Sequence, residues 1–190
     1  MSEARLREFA GLVETWSRTI NLVSRGDLPH LWERHIEDSL ALAAHVPAGT
    51  TRAIDLGSGA GFPGMVLAVA TGVAFTLIES DTRKAVFLRE AARLLAAPVT
   101  VINSRIEVAK VAPAPLVTAR ALAPLDRLIG LALPHLAPGG VCLFPKGRGY
   151  AEELTAARRL WQMEATMLPV ARDAAARILK LENIRHAGAG

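Results

Sequence analysis

Ten consecutive residues carry the densest chemistry in the chain: Asp55-Leu-Gly57-Ser-Gly59-Ala-Gly61-Phe62-Pro63-Gly64. Glycines at alternate positions let the backbone turn sharply and let a ligand approach it, because no Cβ intervenes. A helix starting directly after such a turn offers unpaired N–H groups and a partial positive charge, which suit a carboxylate or a phosphate. Two cofactor readings compete. Gly59-x-Gly61-x-x-Gly64 matches the dinucleotide fingerprint, and Glu79 stands at its acidic offset of about 20 residues. The same loop matches the D-x-G-x-G-x-G pattern of S-adenosylmethionine enzymes. The second reading is favoured. Asp55 sits at the end of the preceding strand, where its carboxylate can accept hydrogen bonds from the loop and attract a cationic cofactor. The turn starts at Gly57, so the dinucleotide match is out of register with the strand. The only tyrosine, Tyr150, has no lysine four residues later, as short-chain dehydrogenases require, and no Gly-Lys-Ser/Thr occurs, which excludes a P-loop.

Other residues fall where such a cofactor would need them. Glu79 closes the next apolar strand, and a carboxylate there can accept from both ribose hydroxyls. As a strand-end group it is expected outside the core. Ile106, beside Glu107 after a third strand, can pack on an adenine while nearby backbone groups read its edge. Arg120 ends a fourth strand, and its fork can hold a cofactor carboxylate, a phosphate or guanine O6. Arg34, His35 and Asp38 lie within one helical turn; the spacing of Arg34 and Asp38 is that of a surface ion pair. The single cysteine, Cys142, excludes an internal disulfide framework and a CxxC metal site and favours a reducing compartment. It lies in an apolar strand, as a buried small residue does.

The elements that must position these groups follow from hydrophobic periodicity. Helices are expected over 3–18 and 29–45, the second stopped by Pro47-Ala-Gly49. The pattern then alternates: strands at 52–56, 73–79, 99–103, 116–121 and 141–144, helices at 63–71, 82–96, 125–134 and 151–160. Residues 111–115 read as a loop, Ala137-Pro-Gly-Gly140 as a turn, and 161–185 as one or two further strands. Alternation of this kind implies a Rossmann-like α/β fold, a parallel sheet with helices on both faces. The 190 residues fit one domain, with helices in 1–46 before a core at 52–185.

The uncharged stretch Phe62–Ile78 approaches a membrane span in length, but Pro63, Gly64, Thr71 and Gly72 within it fit a helix, a turn and a strand better. No secretory signal opens the chain, where Glu3 and Glu8 mix with Arg5 and Arg7. A net charge of +4, from 22 basic residues spread along the sequence, suits a polyanionic partner such as RNA.

Several segments in order resemble the glucose-inhibited division protein B family: Asn21-Leu22, Trp32-Glu-Arg34-His35-Ile-Glu-Asp38-Ser39-Leu40, the Asp55–Gly64 loop, Lys84-x-x-Phe-Leu-Arg89, Thr118-Ala-Arg120-Ala-x-Ala-Pro124 and Lys146-Gly147. The resemblance covers roughly residues 6–160. The glycine loop is common to many methyltransferases; the Arg-His-x-x-Asp-Ser-Leu and Ala-Arg-Ala segments are more specific. Members are bacterial small-subunit (16S) ribosomal RNA guanine-N7 methyltransferases. The resemblance implies an enzyme whose S-adenosylmethionine contacts Gly57, Phe62, Ile106, Glu107 and Arg120, to which the reading of the loop and strand ends adds Asp55, Gly59, Gly61 and Glu79; a cytoplasmic setting is expected. It places Lys146 at the substrate opening and Arg34 and His35 in the active-site wall or against RNA. Ribosomal RNA or a small-subunit intermediate is the expected partner of a monomer that needs neither metal nor membrane. A methyltransferase of this fold acting on another RNA or on a small molecule is the rival reading, and a nucleotide-sensing or RNA-binding module without turnover a third.

The expected chemistry needs few protein groups. Guanine N7 has a free lone pair and no proton to lose, so no general base is required. Cytosine C5 would need a loop cysteine, and exocyclic amines are usually met by Asp/Asn-Pro-Pro-aromatic, where this chain has Arg120-Ala-Leu-Ala-Pro124.

Overall fold

Four consecutive buried residues, Ala53 to Leu56, make β1 (Arg52–Leu56) a strand covered on both faces, as a central parallel strand must be. The computed structural model describes residues 2–188 and sets β1 inside a seven-stranded sheet. β2 (Ala74–Glu79) and β3 (Val99–Asn103) continue the sheet on one side, β4 (Ala114–Ala119) and β5 (Leu136–Lys146) on the other, all parallel. β6 (Trp161–Val170) and β7 (Asp173–His186) form an antiparallel hairpin whose second strand inserts beside β5, giving the order β3-β2-β1-β4-β5-β7-β6. The order reverses between β1 and β4. Ligands of open α/β sheets bind at such a switch point, beyond the C-terminal strand ends.

Alternate residues of each strand feed two cores. Ala53, Phe75 and Leu77 face α1 (Ser2–Trp16), α3 (Gly64–Thr71) and α4 (Thr82–Leu94). Ile54, Leu56, Ile78 and Val117 face α5 (Leu125–Ala132) and α6 (Tyr150–Ala157). The helix at the N-terminus is therefore part of the first core: Phe9 stacks on Phe87 at 6.3 Å and tilts against Phe62 at 5.5 Å. The uncharged stretch resolves as expected into α3, a left-handed Gly72 cap at φ 75°, and β2. Among the described residues no helix is long and apolar enough to cross a membrane.

Three local expectations need correction. The helix expected over 29–45 is a chain of short turns: a 3-10 turn at Leu28–His30, a π-helical segment at Trp32–Glu37, α2 (Asp38–Leu40) and a 3-10 turn at Ala43–His45. Tertiary demands set these changes of register. Leu31, Ile36 and Leu42 must all reach the core, and the Ser39 hydroxyl donates to the His35 carbonyl at 2.5 Å. Second, Ala137-Pro-Gly-Gly140 is not a turn between elements but lies inside β5. Pairing with β4 slips between Leu136 and Val141, and Gly139 at φ 71° takes up the slip as a bulge. Third, the helix expected over 125–134 ends at Ala132, because Pro134 belongs to a 3-10 turn at Leu133–His135.

Candidate active site

The glycine turn leaves β1 at the switch point. Gly57, Gly59 and Gly61 adopt φ of 61°, 56° and 94°, a region that side chains with a Cβ rarely occupy. A Cβ on Gly57 would stand 2.7 Å from Leu122 Cδ1. The turn is held from behind by Glu79, whose Oε2 accepts from Gly59 N–H at 2.8 Å and whose Oε1 accepts from Asp81 N–H at 2.7 Å. Glu79 is only 7% exposed, so the expectation that it lies outside the core fails: its carboxylate braces the loop. Each oxygen still has a second lone pair for a hydroxyl donor. Asp81 caps α4, accepting from the N–H groups of Arg83 and Lys84.

Asp55 lies deeper than its strand-end position suggested. It is fully buried, and its Oδ1 accepts from the Thr118 hydroxyl at 2.6 Å, joining β1 to β4. Burial pushes its carboxyl up to about 6, despite the Thr118 hydroxyl. It lines neither of the two clefts that meet above the switch point, so it supports the turn from beneath.

Arg120, directly after β4, ties the N-terminal segment to the sheet. Its Nη1 donates to the Arg34 carbonyl at 3.0 Å, its Nη2 meets His35 Nδ1, and its guanidinium lies 5.4 Å from the centre of the Phe62 ring. His35 stacks on Phe62 with ring centres 5.1 Å apart. The π-helical register serves this contact: Asp38 N–H turns to the His35 carbonyl while the Arg34 carbonyl accepts from Arg120. Burial first, and then the adjacent Arg120 charge, push His35 down to about 4. The ring is neutral near pH 7, and its Nδ1 can accept from the guanidinium. The proton then sits on Nε2, which is buried without a partner. The expected Arg34–Asp38 ion pair does not form; Arg34 turns outward to Asp27 at 2.7 Å.

Two clefts meet above the switch point. A smaller one of about 190 Å³ is lined by Gly57, Ile78, Ser104, Ile106, Glu107 and Leu122, among others. A larger one of about 640 Å³ is lined by Asp38, Arg120, Pro124, Lys146, Glu153 and the β6–β7 hairpin at Asp173 and Ile178. Leu122 and Ala123 belong to both walls. The smaller cleft brings together Gly57, Ile106 and Glu107 with polar and apolar walls, which fits a nucleoside next to the turn. Lys146 reaches the larger cleft as expected, but its ammonium is engaged by Glu153 at 2.7 Å and by the Ala123 carbonyl at 2.8 Å. Gly59, Gly61 and Phe62 shape the turn from within, and Phe62 is buried under His35 and Arg120. Sequence reasoning missed Leu122, Glu153 and Asp173. Leu122 sits inside the Ala-Arg-Ala-x-Ala-Pro segment and could have been found there; the other two carry no local signal. Among the described residues no group of three or more His, Cys, Asp or Glu is placed to hold a metal.

A sheet of this order, with its glycine turn and strand-end arginine flanking one switch point, defines the Rossmann-like methyltransferase fold. A ribosomal protein L11 methylase from Lactobacillus delbrueckii subsp. bulgaricus shares it at a TM-score of 0.62, over 76% of this chain and 75% of that one; at 15% identity the likeness is one of fold alone. The sequence narrows the class. The model of the family described as rRNA small subunit methyltransferase G matches residues 2–178, and the chain belongs to that family. Relatives named ribosomal RNA small subunit methyltransferase G are 53% identical over 182 residues in Paramagnetospirillum magneticum, covering 95% of this chain and 88% of the relative. The one from Acidiphilium cryptum is 55% identical over 185 residues, covering 96% and 85%.

Proposed function

We propose that the chain transfers a methyl group from S-adenosylmethionine to N7 of a guanine in bacterial small-subunit (16S) ribosomal RNA. The observation that carries this reading is the meeting of the two clefts at Leu122 and Ala123, between the Gly57 turn and Arg120, in a member of the rRNA small subunit methyltransferase G family. The cofactor supplies a methyl already activated on a sulfonium. The protein then has to position two reactants and shape the field around them. Gly57 and the Ile106–Glu107 backbone would hold the nucleoside, Glu79 the ribose hydroxyls, and Arg120 the cofactor carboxylate or the incoming base. The protein groups suit a target with no proton to lose. Cys142 is fully buried and burial pushes its thiol up, so it is no nucleophile. His35 already commits its Nδ1 to Arg120. In this reading the chain works as a single methyltransferase domain and a monomer in the cytoplasm.

The test is to treat small subunits lacking the modification with the purified protein and cofactor, then cleave the RNA chemically at N7-methylguanine and map the stops. One new cleavage site is expected. Methyl incorporation without N7-specific cleavage would move the reaction to another atom, and none at all would remove the assignment.

Glu79 gives a second expected result. Glu79→Gln keeps the shape but points an amide donor at one of two backbone N–H donors. Cofactor affinity should fall by about 1–3 kcal/mol, the worth of charge-assisted hydrogen bonds, and the melting temperature should fall with it. Calorimetry and thermal unfolding read the two effects. A variant with unchanged affinity would take Glu79 out of the site.

A further inference from the structure

Three carboxylates line the larger cleft: Asp38, Glu153 and Asp173. Two are already engaged. Glu153 accepts from the Leu125 N–H at 2.8 Å and from Lys146 at 2.7 Å. Asp173 accepts from the Ala175 N–H at 2.8 Å, at the exposed start of β7. Asp38 is half-buried and has no hydrogen-bond or ion-pair partner among the described residues. Arg34, one helical turn earlier, is committed to Asp27. Burial pushes the Asp38 carboxyl up, against the pull of Arg120 and Arg172. A polar group kept partly out of water without a partner is costly. On a cleft wall it becomes an acceptor waiting for donors from whatever enters.

A guanine presents such donors. Its N1–H and N2–H groups lie on the edge opposite the imidazole edge that carries N7. We propose that Asp38 reads the acceptor guanine, its carboxylate accepting from N1–H and N2–H while N7 faces the Leu122–Ala123 junction with the smaller cleft. This deepens the guanine-N7 reading above and rests on it. Adenine would bring an acceptor, N1, to the same carboxylate and be repelled. The contact also favours the reaction. As the N7 lone pair forms the new C–N bond, the electrons of the breaking C–S bond stay on sulfur, and the purine ring becomes cationic. Its N1–H becomes a stronger donor, so the bond to Asp38 strengthens on the way to the transition state. Asp38 itself gives and takes no proton.

The test uses an acceptor RNA carrying a single inosine at the guanine identified by N7 cleavage mapping. Inosine keeps N7, O6 and N1–H and lacks only the N2 amine. The full-length wild-type protein should lose roughly tenfold in kcat/KM on the inosine RNA, the worth of one hydrogen bond to a charged group. Asp38→Ala should be slowed on guanine and treat guanine and inosine alike within about twofold, the pattern expected when one bond is removed from either side. Its affinity for S-adenosylhomocysteine should match wild type. Asp38→Asn, close in shape, keeps one acceptor oxygen and should fall between the two; it carries the comparison should the alanine variant melt early. An Asp38→Ala protein that keeps the wild-type preference for guanine overturns the proposal. So does a wild type that does not distinguish the two bases, or a variant whose loss lies in cofactor affinity. Failure of the wild type to methylate N7 in the unmodified RNA would instead sink the function assignment, which separates the two failures.

Discussion

Arg120→Ala is expected to lower turnover at saturating RNA and S-adenosylmethionine by roughly tenfold or more, as loss of a positioning contact does. The guanidinium stands on the wall of the larger cleft and is the piece that joins three parts of the site. It reaches the Arg34 carbonyl and His35 from one end of β4 and covers Phe62, the residue that closes the glycine turn. Removing it loosens the wall carrying Asp38 and His35 and leaves the cleft without its central cation. Arginines exposed along the surface, such as Arg83, touch only solvent or a neighbouring carboxylate; they should change RNA affinity and its salt dependence rather than turnover. Arg120→Lys should not restore the rate. An ammonium cannot donate in one plane to a carbonyl and a ring nitrogen while stacking on an aromatic face. Steady-state kinetics with small subunits as acceptor decide the matter. Normal turnover with only a raised KM for RNA would place Arg120 on the binding rim.

Gly64→Ala should destabilise the fold, although the change adds one methyl in a helix, where alanine is ordinarily favoured. A Cβ at Gly64 would lie 2.5 Å from Leu77 Cδ2, 2.7 Å from Asp55 Cβ and 2.9 Å from Asp55 Cγ. Asp55 cannot yield: it is fully buried and held by Thr118. The helix α3 would have to lift off the sheet, and its buried face, from Met65 to Val69, would lift with it. Overpacking of this kind costs about 1–3 kcal/mol and sometimes more. For a chain of this size that is several degrees of melting temperature, at about 2–4 °C per kcal/mol. Gly11→Ala is the matching control. Gly11 is an exposed position of α1 with nothing within 4 Å of the new methyl, and alanine there should stabilise by about 0.5–1 kcal/mol. Opposite signs are expected in thermal unfolding. A Gly64→Ala protein melting at or above wild type would mean that α3 does not press on β1 as described.

Gly64 also shows which features could be read from the chain alone. The ten-residue loop from Asp55 to Gly64 is a local signal: its glycines are needed for backbone geometry and close approach, whatever surrounds them. The alternation of short apolar runs with amphipathic stretches is local too, since it reflects the periods of strand and helix, and it placed β1, β2, β3, α3 and α4 within a residue or two. Those two signals determined the fold class, the turn and the candidacy of Glu79, Ile106 and Arg120. The remainder depends on partners far apart in sequence. Arg120 and His35 are 85 positions apart, and Thr118 and Asp55 are 63 apart. No periodicity reports such pairs. The Arg34–Asp38 spacing predicted a surface ion pair, yet packing of Leu31, Ile36 and Leu42 changed the helix register and sent Arg34 to Asp27. Asp38 was thereby left facing the cleft. Likewise the Pro-Gly-Gly at 138–140 reads as a turn in isolation, while the demand for β5 to keep pairing with both β4 and β7 turned it into a bulge within a strand. Local sequence determined which groups could do chemistry. Only the sheet, by bringing the ends of β1 and β4 together and packing the N-terminal segment across them, decided which of those groups face the same cleft.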